Sequence, residues 1–198
     1  MGEKQLLLFV KNTELGKVKT RLAKTIGDKK ALYIYKALLH HTSQITSKVE
    51  ALRKVYYTNF IASNDEFESS KFEKRLQVSG DLGDKMYAGV KEAFGERAEK
   101  VVVIGSDCYE IDETIIEKAF EELTNHDYVL GPAYDGGYYL IGMRERNKSV
   151  FENMVWSTEN VLLDTLLTIK EQNKTYFLLP TLTDVDEEKD LGMLRNFL

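Results

Sequence analysis

The chain has a single cysteine, Cys108, so no internal disulfide framework is open to it. Its histidines number three: His40 and His41 fall on a segment of helical period and His126 at a helix end. None pairs in sequence with Cys108, so neither a Cys–His dyad nor a zinc site is supported, and Cys108 reads as a bystander. No apolar run approaches the roughly 20 residues that a membrane helix needs. Met1 to Phe9 holds one short apolar run without a signal-peptide cleavage pattern, so the cytoplasm is the simplest expected location. A basic excess is lacking as well. With 27 Lys and Arg against 32 Asp and Glu, the net charge is −5, which argues against general nucleic-acid binding. The phosphate-loop pattern GxxxxGK[ST] and the dinucleotide pattern GxGxxG are both absent.

What remains is an ordinary globular composition, 43% hydrophobic and 30% charged over 198 residues. That suits one domain, residues 1–198, large enough for a three-layer α/β core. There is no repeat, low-complexity tract or linker. Short apolar runs alternate with longer stretches of helical period, as in βαβ units around a mostly parallel sheet. Gln5–Val10, Val55–Thr58 and Lys100–Gly105 read as strands, the last, with VVVI at its centre, as a buried central one. Tyr128–Leu130, Tyr138–Met143 and Thr175–Leu179 read as further strands. Helices are expected through Ala31–Ile45, around Met86–Phe94, after Asp112 as N-cap, after Ser157 as cap, and over Glu187–Phe197.

Between the first strand and the first long helix lies Leu15–Leu22, LGKVKTRL, with Lys24 just beyond. In α/β sheets ligands bind outside the carboxyl ends of strands, where such loops sit. Gly16 for close backbone approach, the cations Lys17, Lys19 and Arg21, and the Thr20 hydroxyl suit a di- or triphosphate. A solvated basic turn fits the same spacing equally well.

Carboxylates mark other loop ends. Gly105-Ser106-Asp107 follows the VVVI strand, and Asp184-Val185-Asp186 follows the strand–proline segment YFLLP. Asp107, Asp184 and Asp186 are candidate ligands for Mg²⁺ or Mn²⁺, hard cations that take oxygen ligands and also hold substrate phosphates. Asp186 as a helix cap and Asp107 as a turn residue are the plainer alternatives. Asp135-Gly136-Gly137 lies in a turn between strands; it is either a simple hairpin or a place where backbone approaches a hydroxyl-rich ligand. Trp156-Ser157-Thr158 opens a candidate helix whose N-terminus can hold an anion, though the tryptophan serves equally as a packing residue.

The segments GKVKTRLA, GDLGDKM, GSDC, LGPAYDGGYYLIG, WST and DVDEEKDL, in that order, resemble the DUF2064 family, expected glycosyltransferases of the nucleotide-diphospho-sugar transferase (GT-A) fold. That family is similar to the phospholactate and molybdenum-cofactor guanylyltransferases. The resemblance spans Phe9 to Leu191. It implies that Gly16, Lys17, Lys19 and Arg21 face nucleotide phosphates, that Asp107, Asp184 and Asp186 surround a metal, and that Asp135, Gly136 and Gly137 line the second-substrate pocket. Two departures stand out: Tyr109 follows GSDC where the family commonly has proline, and NTELG replaces a proline-rich first loop.

The expectation is therefore a metal-dependent transferase. It would move a group from a nucleotide or nucleotide-sugar donor to a small-molecule acceptor, with no nucleic acid and no membrane span involved. Glycosyl transfer leads; a nucleotidyltransferase releasing pyrophosphate from a nucleoside triphosphate, and a non-catalytic nucleotide-binding module, are the alternatives.

Overall fold

The computed structural model describes residues 3–197. Seven strands alternate with five helices: β1 Glu3–Val10, α1 Thr20–Ile26, α2 Asp28–Thr46, β2 Leu52–Tyr57, β3 Glu73–Leu76, α3 Leu82–Gly95 and β4 Ala98–Ile104. Then follow α4 Glu113–Glu122, β5 Tyr128–Pro132, β6 Tyr138–Met143, α5 Val161–Glu171, β7 Tyr176–Leu178 and a closing 3-10 segment, Glu188–Phe197. The strands form one sheet in the order β3-β2-β1-β4-β6-β5-β7. All run parallel except β6, which is antiparallel to β4 and to β5.

β1 shows why the sheet is covered on both faces. Leu6, Leu8 and Val10 point into one core, with α2, α4 and the closing segment, while Leu7 and Phe9 point into the other, with α3 and α5. A strand buried on both sides needs an unbroken apolar run, and LLLFV is one. The architecture is the expected three-layer αβα sandwich with a mostly parallel sheet. Among the described residues no helix is long and apolar enough to cross a membrane.

Three local readings are corrected and one strand is added. The basic loop ends sooner than its composition suggests, because Thr20 and Arg21 already belong to α1, anchored by buried Leu22. β3, sequence EKRL, is an edge strand held by its ladder to β2, and polar residues give it no apolar signature. Ser157 caps no helix: it sits in a left-handed turn at φ 64°, and α5 begins at Val161 after Asn160. The closing segment is 3-10 and kinked at Gly192, φ 48°, instead of a continuous α-helix.

Candidate functional site

A cleft of about 530 Å³ opens at the carboxyl edge of the sheet, past the ends of β1, β2, β3 and β4 and the start of the reversed β6. A shallower concavity of about 400 Å³ at Lys4 and Phe120 is bordered by Lys118 and Glu121, which simply pair with each other.

Lys19 is the centre of the cleft. Its backbone is left-handed, φ 47° and ψ 45°, a strained conformation for a residue with a Cβ. The turn carries the side chain inward, leaving it 4% exposed, with Nζ 2.6 Å from Asp107 Oδ1 and 3.5 Å from Asp186 Oδ1. A buried ammonium is tolerable only with such partners. Arg21 Nη1 reaches the other oxygen of Asp186 at 3.1 Å. Thus α1, β4 and the segment after β7 meet on one pair of cations.

The third carboxylate completes the cluster. Residues 182–185 lie across the sheet edge: the Asp107 carbonyl accepts from Val185 N at 2.8 Å, and Cys108 and Asp184 form a bridge. Val185 is buried, so Asp184 and Asp186, two apart, share the face toward the cleft. Burial pushes the Asp184 carboxyl up to about 7; the charges of Asp107, Asp135 and Asp186 push the same way and outweigh Lys19. The Asp186 carboxylate turns to Lys19 and Arg21, and Asp190 Oδ2 ties the entry of the closing segment by accepting from Glu187 N at 2.8 Å.

Asp107, Asp184 and Asp186 therefore converge as the spacing suggests. Among the described residues no three acidic, histidine or cysteine groups form a ready cage for an ion. The set still fits Mg²⁺ or Mn²⁺. It offers oxygen donors only, carries more negative charge than Lys19 and Arg21 offset, and leaves coordination to water and substrate phosphate, as Mg²⁺ commonly does.

The remaining candidates divide. Thr20, Ser106, Asp135, Gly137, Trp156, Ser157 and Thr158 all line the cleft. Ser106 is buried, its Oγ 3.2 Å from the hydroxyl of Tyr35, which also bonds both backbone groups of Lys11 and so stitches the β1 and β4 ends together. Asp135 Oδ1 accepts from Gly137 N at 2.9 Å, fixing the turn before β6. Gly136, at φ 89°, packs on the Glu159 backbone with no room for a Cβ; its role is to close the loop, outside the cleft lining. Gly16 and Lys17 also lie outside the lining, and Lys17 Nζ pairs with Glu14 at 2.9 Å on the surface.

Sequence reasoning missed Lys11 and Lys85, which line the cleft without a carboxylate partner among the described residues. It also missed the purpose of GDLGDKM. Asp81 and Asp84 cap α3 reciprocally, Gly83 lies flush against the Trp156 indole, and Leu82, Lys85 and Met86 face the cleft. The periodicity i, i+3, i+4 after an N-cap was the available signal. Cys108 lines the cleft but is buried, its thiol pushed up to about 12 by burial and by Asp184. Tyr109 packs on the core and lies tilted by 43° against His41, with ring centres 4.6 Å apart.

The family model DUF2064, described as "Uncharacterized protein conserved in bacteria", matches residues 41–158. A crystal structure from Desulfovibrio desulfuricans G20, of a protein provisionally assigned as a nucleotide-diphospho-sugar transferase, is 31% identical. It aligns over 98% of this chain and 87% of that one with a TM-score of 0.91. The inositol-1-phosphate CTP transferase from T. maritima is 13% identical over 96% of this chain and 92% of its own, TM-score 0.60. The 4-diphosphocytidyl-2C-methyl-D-erythritol synthase from Anaerococcus prevotii DSM 20548 is 11% identical over 99% and 98%, TM-score 0.62. These last two share the fold. No curated protein matches the sequence.

Proposed function

The chain belongs to the DUF2064 family, and on that footing we propose that it is a metal-dependent transferase of the nucleotide-diphospho-sugar type, moving a glycosyl group from a nucleotide-activated donor to a small acceptor. The observation that carries the reading is the Asp107–Asp184–Asp186 cluster around buried Lys19, with the Asp184 carboxyl held near 7 by burial and like charge.

Asp107, Asp184 and Asp186 are the residues that would hold Mg²⁺ or Mn²⁺. When bound, that ion would supply Lewis-acid charge for the diphosphate group. The chain's own residues do the rest. Lys19 is already desolvated and fixed by two carboxylates, so its ammonium meets developing phosphate charge without reorganising. Arg21, on the first turn of α1, adds a planar donor fork at the open side of the cleft. Asp135, Ser157 and Thr158 also line the cleft, and their carboxylate and hydroxyl groups suit the hydroxyls of a sugar. No protein nucleophile enters this scheme: Cys108 is the sole thiol and stays protonated.

A nucleotidyltransferase that releases pyrophosphate is the second reading. It is favoured by Lys11, Lys19 and Arg21 all bordering the cleft, enough cations for a triphosphate. Assays for nucleoside diphosphate and for pyrophosphate, run over sugar nucleotides and triphosphates with and without Mg²⁺ or Mn²⁺, separate the two. Metal-dependent diphosphate release from a sugar nucleotide is the expected result. Pyrophosphate release alone promotes the second reading, and neither product under any condition leaves a nucleotide-binding module.

A further inference from the structure

Three hydroxyl-bearing side chains of α2 are buried, and two of them keep their hydrogen bonds within the helix. Thr42 donates to the Leu38 carbonyl at 2.9 Å and Thr46 to the Thr42 carbonyl at 2.6 Å. The third, Tyr35, crosses to the sheet. Its hydroxyl accepts from Lys11 N at 2.8 Å, donates to the Lys11 carbonyl at 3.2 Å and lies 3.2 Å from Ser106 Oγ. A phenol offers one hydrogen and two lone pairs, so with the Ser106 hydroxyl donating, all of them are used. The contact falls where a ladder ends. β1 and β4 pair as far as Leu8 and Ile104, and the Tyr35 hydroxyl then takes over, tying the end of β1 to the end of β4.

On its other flank the end of β1 is already fixed. Gln77, one residue beyond β3, donates to the Val10 carbonyl at 3.0 Å and to the Tyr56 carbonyl at 2.9 Å. Buried Asn12 accepts from Asn59 N at 2.8 Å and donates to the Phe60 carbonyl at 2.8 Å. Lys11 sits between these anchors and lines the cleft, and Asp107 follows Ser106 beyond the end of β4. A phenyl ring would fill the same core space beside Ile34 and Leu38, so packing alone does not account for the hydroxyl. We propose that Tyr35 is a positioning residue for the transfer, its hydroxyl setting the spacing between the Lys11 cation and the Asp107 carboxylate at the cleft. A misplacement of about 1 Å, even from a change far from the chemistry, can cost on the order of a hundredfold in rate. The inference rests on the nucleotide-using reading above and holds for glycosyl and nucleotidyl transfer alike.

Steady-state kinetics of the whole chain with Mg²⁺ or Mn²⁺, well below its melting temperature, test the role on whichever donor releases diphosphate or pyrophosphate. Tyr35→Phe should lower kcat about tenfold or more while KM for the donor stays within about threefold. Thr42→Val removes a buried hydroxyl from the same helix and should leave both constants within about twofold. Amide exchange is the second measurement: in Tyr35→Phe the Lys11 N–H should exchange about tenfold or more faster, with the Leu8 N–H unchanged. A smaller fall in kcat overturns the proposal, as does an unchanged Lys11 amide. A raised KM with kcat unchanged overturns it by making the hydroxyl part of donor binding. An equal fall in kcat from Thr42→Val does so by making the loss a general loosening of α2. A Tyr35→Phe chain that cannot fold does so by placing the hydroxyl's work in stability. Release of neither product by the unaltered chain is a different failure: it removes the proposed function and this role with it.

Discussion

Two buried lysines, each held by two carboxylates, do opposite work in this molecule. Lys54, on β2, is fully buried, with Nζ 3.1 Å from Glu92 and a short contact to Glu96. Around it the network finishes itself: Arg75 reaches Glu92 at 3.2 Å, Tyr56 donates to Glu92, and Gln5 donates to Glu96. Burial alone would raise the Glu92 carboxyl, yet hydrogen bonds from Lys54 and Arg75 outweigh it and hold the group below its usual range. Lys19 has a similar pair of partners, but beside it burial, reinforced by the charges of Asp107, Asp135 and Asp186, drives Asp184 upward. A cluster that satisfies its own charges is a brace. One that keeps a carboxyl raised at the edge of an open cleft has its charges less fully answered from within.

The contrast can be broken in four ways. The largest effect belongs to the brace: Glu92→Gln with Glu96→Gln strands the buried Lys54 ammonium and should cost about 3–5 kcal/mol of stability by urea denaturation. A loss below about 1 kcal/mol would mean the cluster braces nothing. Next, Asp107→Asn should lower turnover by about 10²–10³, as loss of one preorganised electrostatic contact does. The urea midpoint should fall less than in the Glu92 and Glu96 double variant, because Asp186 stays beside Lys19, and equal losses of turnover and stability would make Asp107 another brace.

The arginines give a matched pair. Arg21→Ala should weaken nucleotide binding by about 1–3 kcal/mol in calorimetry. Arg75→Ala should leave binding alone and cost about 0.2–1 kcal/mol of stability, since that side chain is partly exposed. The smallest effect is a pH dependence. With a folded value near 7, above the ordinary 3.8, Asp184 holds its proton more tightly in the native state. Stability therefore falls as pH rises from about 4 to about 7, and above that window the full penalty of the charged form is present. Asp184→Asn should gain on the order of 1 kcal/mol at pH 8 and nothing at pH 4, in metal-free thermal melts. A gain that does not depend on pH would place its origin elsewhere.

Sequence periodicity located the central strands and long helices because burial on one or both faces writes itself into composition; VVVI and LLLFV are the clearest cases. It missed β3, whose place comes from a ladder with β2, and α1, whose seven residues bury only Leu22. For the cleft, loop position after a strand was enough to bring Asp107, Asp184 and Asp186 together. It could not rank neighbouring cations. Lys17 and Lys19 look alike in LGKVKTRL, and only the left-handed turn at Lys19 and the buried Val18 send one inward and the other to Glu14. Gln77 left no sequence trace at all, since its side-chain amide donates to the Val10 and Tyr56 carbonyls, both distant along the chain.

The contact between Lys19 and Asp186 joins residues 167 positions apart. Its carboxylate is synthesised long after its lysine. Until then Lys19 has no Asp186, Asp107 has no Val185 amide, and Asp184 has not crossed the sheet edge. Long-range closure of this kind is slow relative to local helix formation, so the sheet can be largely in place before the cleft exists. A chain cut before residue 182 would keep every strand of the described sheet and lack Asp184 and Asp186 at the cleft.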